Sequence, residues 1–249
     1  MRYTNVLENN QVNIIPLAKI LSDSIIEMIM QYLSDNNLPC KISEIPSRLC
    51  RNLDHQKWQI DDDRDSFEYI LDIHQQSLLE GSKFSRQRRR INFFEREHTN
   101  DTVNIQYYNE LTDEIKEFFF HHICTMDINS SEESSRQNIF EPMAIQKNLE
   151  YALYFGKKAL IIKVDNRIVS LSMISYLDNH TASINHIKVD YRVQYIFQYT
   201  VYSLAKILKE KGFDEMNFEQ DLGIEGLRVF KERLKPSRLL EKQIIRPRY

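Results

Sequence analysis

Between Ala159 and Val189 the chain spells three strands in quick succession, Ala159 to Val164, Ile168 to Leu177 and Ala182 to Val189. Asp165-Asn166 and Asp178-Asn179 supply the hairpin turns between them. A long apolar-periodic helix, Gln194 to Lys211, follows and stops at Gly212. Strand 214–218, helix 224–234 and strand Arg238 to Ile245 complete the chain. Ahead of the meander come strand Val103 to Tyr108, helices Thr112 to Thr125 and Ala144 to Tyr154, and a polar, Ser-rich loop from Asp127 to Gln137. The order is β-α-α-β-β-β-α-β-α-β. It predicts an α+β fold in which a mixed sheet is flanked by helices.

The first hundred residues are less regular. Apolar residues at helical spacing (Leu17, Ile20, Leu21, Ile25, Met28, Ile29, Leu33) predict a helix from Ile14 to Leu33, with Pro16 in its first turn. Asp35-Asn36-Asn37 and Pro39 stop it. Ile42 to Leu53 reads as a short helical arm begun by Ser43 and Pro46. An acidic loop, Asp61 to Asp65, leads into a strand at Phe67 to Ile70 and a short helix at Ile73 to Leu79. Phe84 to His98 is a strongly basic helix with an apolar stripe at Phe84, Ile91 and Phe94. Thr99-Asn100-Asp101 marks a boundary between a first part, 1–100, and a second, 101–249.

Composition narrows the classes of function. A net charge of −3 means that nucleic-acid binding needs a local basic patch. Only five glycines are present, and neither a P-loop nor a Rossmann fingerprint occurs. Cys40, Cys50 and Cys124 lack metal-like spacing, which predicts reduced thiols and a cytoplasmic protein. His121-His122 point to different faces of a helix and make a poor metal pair, so no metal is expected. No stretch is long and apolar enough for a membrane span or a secretion signal.

Two groups of motifs go further. One runs Asp63-Arg64-Asp65-Ser66-Phe67-Glu68-Tyr69-Ile70, Leu79-Glu80-Gly81-Ser82-Lys83-Phe84 and Arg88-Arg89-Arg90-Ile91-Asn92-Phe93-Phe94. The other is Asn217-Phe218-Glu219-Gln220-Asp221-Leu222-Gly223-Ile224-Glu225-Gly226-Leu227-Arg228-Val229-Phe230-Lys231 with Lys235-Pro236. Together they resemble the family of the phosphatidylglycerol lysyltransferase C-terminal domain, which is built of two tandem lobes of the GCN5-related N-acyltransferase (GNAT) fold. The resemblance implies a complete GNAT-like lobe at 101–249, whose element order agrees, and a truncated lobe at 1–100. In that fold the fourth and fifth strands splay apart and the donor lies in the gap. Relatives move an amino acid from aminoacyl-tRNA to a lipid headgroup, while other GNAT proteins use acyl-CoA.

The chain departs from the pattern near the expected donor gap. GNAT enzymes that use CoA carry a Gly-rich turn whose amides bind pyrophosphate at a helix N-terminus. Here the turn reads Arg192-Val193-Gln194-Tyr195-Ile196-Phe197, with Tyr195 and Phe197 where close approach needs glycine. Relatives carry a carboxylate just before the Lys188 position, and this chain has Ile187.

Transfer to an amine needs a proton acceptor and a group to stabilise the oxyanion. Glu219 and Asp221, two apart, would share a face of extended chain and could serve as base or bind a cationic amine. Equally, they could cap the following helix and pair with Arg228 or Lys231. His186 and Lys188 alternate on one strand as candidate base and oxyanion stabiliser, or as surface residues. Arg192, Arg228, Lys231 and Tyr199 are candidates for holding donor or substrate, Tyr199 being equally a core residue. Arg86, Arg88, Arg89 and Arg90 could contact tRNA phosphates, or form a solvated face that pairs with the acidic 61–65 loop.

The leading expectation is therefore transfer of an aminoacyl group from aminoacyl-tRNA to a small or peptidyl amine. The alternatives are a CoA-dependent N-acyltransferase with an atypical pyrophosphate site and a catalytically silent GNAT-like scaffold. Beyond the co-substrate, aminoacyl-tRNA or acyl-CoA, no cofactor is expected. The missing front of the first lobe leaves an edge for a partner chain, so a homodimer is among the expectations.

Overall fold

The computed structural model describes residues 2–6, 11–15, 20–98, 102–109, 113, 117, 147–148, 150–152 and 154–248. The strands are β1 (Arg2–Val6), β2 (Gln11–Ile15), β3 (Ile42–Pro46), β4 (Trp58–Asp62), β5 (Glu68–Asp72), β6 (Val103–Tyr108), β7 (Lys158–Val164), β8 (Arg167–Tyr176), β9 (Thr181–Val189), β10 (Glu215–Gln220), β11 (Arg238–Leu240) and β12 (Lys242–Pro247). The helices are α1 (Asp23–Asp35), α2 (Ser47–Cys50), α3 (Ile73–Leu78), α4 (Ser85–Glu97), α5 (Ile196–Glu210) and α6 (Glu225–Arg233). From β6 onward these elements follow the sequence expectation to within a few residues, except that the one strand expected over Arg238 to Ile245 is broken at Glu241 into β11 and β12. The predicted helix 112–125, the loop 127–137, the boundary 99–101, Cys124 and His121-His122 lie outside the described residues, apart from Asp113 and Glu117, which are helical.

Two expectations in the first part are corrected. Residues 11–15 form a strand antiparallel to β1, and the helix begins only at Asp23, with Ser22 at its N-cap. Pairing with β1 overrides the helical spacing that Ile14 and Leu17 suggested. Ile42–Pro46 is likewise a strand, and only Ser47–Cys50 is helical. Its partner is β12, far along the chain, which local patterning does not reveal.

The chain forms two compact units, and it passes between them in β5 and β10. This division is distinct from the division into lobes expected near residue 100. The first unit holds 1–69 and 220–249. Its three-stranded sheet runs β3-β12-β4, antiparallel throughout. Ile26, Leu33, Ile42, Ile45, Trp58 and Ile245 form the core between this sheet and α1. Full burial of each such side chain contributes about 1.5–3 kcal/mol. Asp23 locks the start of α1 by accepting from the Asp54 amide and Trp58 Nε1. In the same unit the Cys50 thiol is buried, which pushes its pKa up to about 11 and makes it a poor nucleophile.

The second unit holds 70–219. Within it the strands run in the order β5-β10-β9-β8-β7-β6. The β6-β7-β8-β9 meander is antiparallel, and β10 joins β9 in parallel. One face is covered by α5 and α4, where Phe94, Ile162, Val169, Val189 and Ile196 pack together. Thr200 on α5 reaches Ser170 on β8 at 2.7 Å and closes a buried polar contact. This is a GNAT-like fold: a mixed sheet flanked by helices, in which a long helix links the antiparallel meander to a parallel strand.

Candidate functional site

The parallel pairing of β9 with β10 is short. It covers Glu215 with Thr181, Met216 with Ala182 and Asn217 with Ser183, and ends there, although β9 runs on to Val189. Two local features separate the strands. Asn185 is an extra residue in β9, because Met173 pairs with His186 and Ile174 with Ile184. Glu219 takes the left-handed conformation, φ 58°, which turns β10 out of the ladder. The opening expected between the fourth and fifth strands of the lobe therefore lies just past Ser183 and Asn217.

A chain of polar side chains spans that opening. Glu219 Oε1 accepts from Ser183 Oγ and from Asn185 Nδ2, both at 2.8 Å. Asn185 Oδ1 in turn accepts from Lys157 Nζ at 2.8 Å and from Ser175 Oγ at 2.7 Å. Lys157 also donates to Ser175 Oγ and is 9% exposed. An ammonium and a carboxylate are thus joined through one amide, whose two ends are assigned by what they touch. Burial makes each of these bonds costly to leave unmade. Glu219 Oε2 has no hydrogen-bond partner among the described residues and remains open to a donor.

His186 and Lys188 follow on β9 beyond the bulge, both half-buried. His186 Nε2 lies 3.3 Å from Asn148 Nδ2. Arg192 is tied back to Asp190 by two hydrogen bonds of 2.8 Å, which hold the Asp190 carboxyl below its usual range. Tyr199 stacks on Phe94 with ring centroids 4.1 Å apart, and burial raises its pKa. It is a packing residue in this arrangement.

The turn before α5 does not suit a pyrophosphate. Tyr195 occupies its N-cap at φ 63°, a backbone conformation that glycine usually supplies. Its ring lies edge-on to Phe93 at 5.3 Å and under the Arg90 guanidinium at 5.5 Å. The N-cap carries a large side chain packed on α4 where glycine would be expected, and Arg192, the nearby cation, is already paired.

Asp221 belongs to a different cluster, in the first unit. The extended backbone that would place it on one face with Glu219 is not formed, because Glu219 is left-handed. Asp221 is fully buried and accepts from Tyr69 Oη at 2.6 Å, Arg64 at 2.9 Å, Arg228 Nε at 3.0 Å and the Gly223 amide at 3.0 Å. Burial alone would raise its pKa, but these donors outweigh it, Arg228 foremost, and hold the carboxyl far below the usual range. Arg228 also pairs with Asp65 at 2.9 Å. Lys231 is buried, donates to the Gln220 carbonyl and lies over the Tyr69 ring at 5.8 Å. Gly223 is required here: at φ 73°, a Cβ would stand 2.8 Å from Asp65 Oδ2. The cluster holds the turn between β10 and α6.

A family model described as "Phosphatidylglycerol lysyltransferase, C-terminal" matches residues 11–246. The chain belongs to this family. A search of curated protein sequences found no significant match. Among solved structures, a conserved protein of unknown function from Bacteroides thetaiotaomicron is similar at TM-score 0.77 and 20% identity, over 90% of this chain and 75% of that one. The C-terminal domain assigned to a lysylphosphatidylglycerol synthetase of Agrobacterium fabrum is similar at TM-score 0.58 and 11% identity, over 90% and 72%. At these identities the likeness shows the fold. The family and the fold are those of GNAT-type group transferases.

Within this lysyltransferase-type fold Arg86, Arg88, Arg89 and Arg90, four of the five arginines of α4, separate. Arg88 donates to the carbonyls of Leu79 and Gly81 and so closes the turn after α3. Arg90 lies on the Tyr195 ring. Arg86 and Arg89 are exposed and have no ion-pair or hydrogen-bond partner among the described residues. In the first unit, Asp61 of the acidic loop pairs with Arg246 and Asp65 with Arg228. No helix among the described residues is long and apolar enough to cross a membrane. No group of three or more His, Cys, Asp or Glu side chains among them could hold a metal ion.

Sequence reasoning missed Lys157, Ser175, Ser183 and Asn185. Lys157 follows Gly156 at the start of β7 and reads as an ordinary turn lysine. The only advance signal was Asn185-His186, where the polar–apolar alternation of Thr181 to Val189 breaks.

Proposed function

We propose that this protein transfers an aminoacyl group from aminoacyl-tRNA to the amine of a small or peptidyl acceptor. The observation that carries this reading is the opening between β9 and β10, with the Glu219 carboxylate at its mouth and one carboxylate oxygen unused. A primary amine entering there in its neutral form meets the open Oε2 of a carboxylate that Asn185 ties to the buried Lys157. As the amine nitrogen bonds to the ester carbonyl carbon, its proton passes to Glu219 Oε2. The bond from that carbon to the ribose oxygen then breaks, and the proton leaves with the ribose hydroxyl. Lys188 and His186, further along β9, are the proposed oxyanion stabiliser and auxiliary base. Asp221, Arg228 and Lys231 act by holding the turn that delivers Glu219.

Three further expectations belong to the same reading. The protein works in the cytoplasm, where charged tRNA is present. The lobes at 1–100 and 101–249 descend from one repeated GNAT-like unit. A second copy of the chain covers a free sheet edge. The turn built around Tyr195 speaks against acyl-CoA as the donor.

The test uses tRNA charged with a radiolabelled amino acid and a panel of primary amines. Label appearing on an amine, lost with Glu219→Gln, supports the proposal. A rise of several degrees in melting temperature with acetyl-CoA, and no response to charged tRNA, would replace it with CoA-dependent acyl transfer. No response to either ligand would leave a GNAT-like scaffold.

A further inference from the structure

The hydrogen bonds that lead from Lys157 to Glu219 in the second unit run one way. Lys157 Nζ donates to Ser175 Oγ and to Asn185 Oδ1, both at 2.8 Å. Ser175 Oγ donates to Asn185 Oδ1 at 2.7 Å. Asn185 Nδ2 donates to Ser183 Oγ at 3.2 Å and to Glu219 Oε1 at 2.8 Å. Ser183 Oγ donates to the same Oε1 at 2.8 Å. An ammonium only donates and an ionised carboxylate only accepts, so the two ends force the direction of everything between them.

The backbone holds both ends in place. The Lys157 amide donates to the Ala152 carbonyl at 2.8 Å, just after Gly156 turns the chain at φ 57°. The Glu219 amide donates to Asn217 Oδ1 at 2.7 Å, which supports the left-handed turn in β10. Asn185, the extra residue of β9, stands outside the strand's alternation and reaches both side chains. Packing does not require a buried ammonium at position 157, since an apolar side chain would avoid its desolvation.

We propose that Lys157 is a positioning residue that, through Asn185, sets which oxygen of Glu219 faces the ligand. The inference rests on the reading of Glu219 as the group that takes the proton of the acceptor amine. An asparagine amide has nearly the same shape either way round, so its neighbours decide which end meets the carboxylate. Turned over, it would set Oδ1 against Glu219 and its NH2 group against Lys157. Ser175 gives no bias, because a hydroxyl both donates and accepts. Glu219 becomes neutral when it takes the amine's proton and then holds the amide less firmly. Lys157 keeps its charge through that step. It therefore keeps Nδ2 on Oε1 and leaves Oε2 turned to the acceptor.

The test uses the full chain labelled with 15N-asparagine. The Asn185 side-chain amide, identified by its loss in Asn185→Leu, should exchange slowly with solvent. Lys157→Met removes the donor at similar length and should speed that exchange at least about tenfold. It should also lower kcat for amine transfer at least about tenfold while the KM of the amine stays within about twofold. A second pair of variants reads the direction of the bonds even if Lys157→Met does not fold. Asn185→Asp sets a carboxylate against Glu219 and should lower the melting temperature by several degrees. Adding Glu219→Gln supplies that carboxylate with a donor and should restore most of the loss. The proposal is overturned if Asn185 exchanges like an exposed asparagine in the wild type, or if Lys157→Met leaves either its exchange or kcat unchanged. Failure of Glu219→Gln to recover Asn185→Asp overturns it as well. A slow amide that Lys157→Met releases, in a protein that transfers nothing to any amine, supports the orienting role and removes the transferase reading alone.

Discussion

Asn185 Nδ2 donates to Glu219 Oε1 at 2.8 Å and joins two strands whose backbone ladder has already ended at Ser183 and Asn217. The same amide accepts from Lys157, so one neutral side chain carries the contact between a buried cation and a carboxylate. A side-chain bridge does there what amide-to-carbonyl bonds do elsewhere in the sheet.

Asn185→Leu keeps the size of the side chain and removes both ends of the bridge. Lys157 keeps only Ser175 among these partners, and Glu219 keeps only Ser183. The expected cost is about 2–3 kcal/mol, from the buried Lys157 ammonium and the half-buried Glu219 carboxylate left under-satisfied. Urea unfolding reads it directly. A loss under 0.5 kcal/mol would mean that the bridge carries no energy.

Asp221 gives the chain an acid-sensitive turn. Its folded pKa lies below the unfolded value of about 3.9, so its contribution is complete above pH 4. That contribution is lost as the pH falls below about 4 towards the folded pKa. Asp221→Asn should cost about 3 kcal/mol at pH 7, because Arg64 and Arg228 then lose the buried carboxylate that both pair with. The same variant should flatten the acid limb of the stability curve below pH 4. An acid limb of unchanged steepness in Asp221→Asn would assign the sensitivity to other carboxylates.

Gly223→Ala should destabilise by about 2 kcal/mol. Part is left-handed strain, about 1–2 kcal/mol, and part is the clash with the Asp65 carboxylate that holds Arg228. Adding Asp65→Ala removes the clash and not the strain. The double variant should then lose less than the sum of the singles, which thermal unfolding measures. Strict additivity would count against the contact.

Arg88 and Arg89 are neighbours with opposite fates. Arg88→Ala removes the donor to the Leu79 and Gly81 carbonyls and should cost about 1–2 kcal/mol. Arg89→Ala touches nothing described and should stay within about 0.5 kcal/mol of wild type. Equal losses in chemical denaturation would contradict the assignment of Arg88 to the turn.

Much of this architecture is written locally. Asp165-Asn166, both at positive φ, mark a hairpin in the sequence as plainly as in the structure. Gly212 at φ 85° ends α5 where the helical pattern stops. The pairing of Asp221 with Arg228, seven residues apart, was one of two readings the sequence left open, and it formed. The hairpin β1–β2 was not legible, because its second strand carries apolar residues that also fit a helix.

The sequence by itself determined the order of the described strands and helices of the meander and α5, their turns and the family, since each depends on propensities and motifs spanning a few residues. Tertiary structure decided what the polar side chains do. Lys157 meets Asn185 across 28 positions, and Arg64 meets Asp221 across 157. Strand register makes those meetings, and in β9 it shifts by one residue at Asn185. Such a slip turns side chains to new partners that no local pattern names.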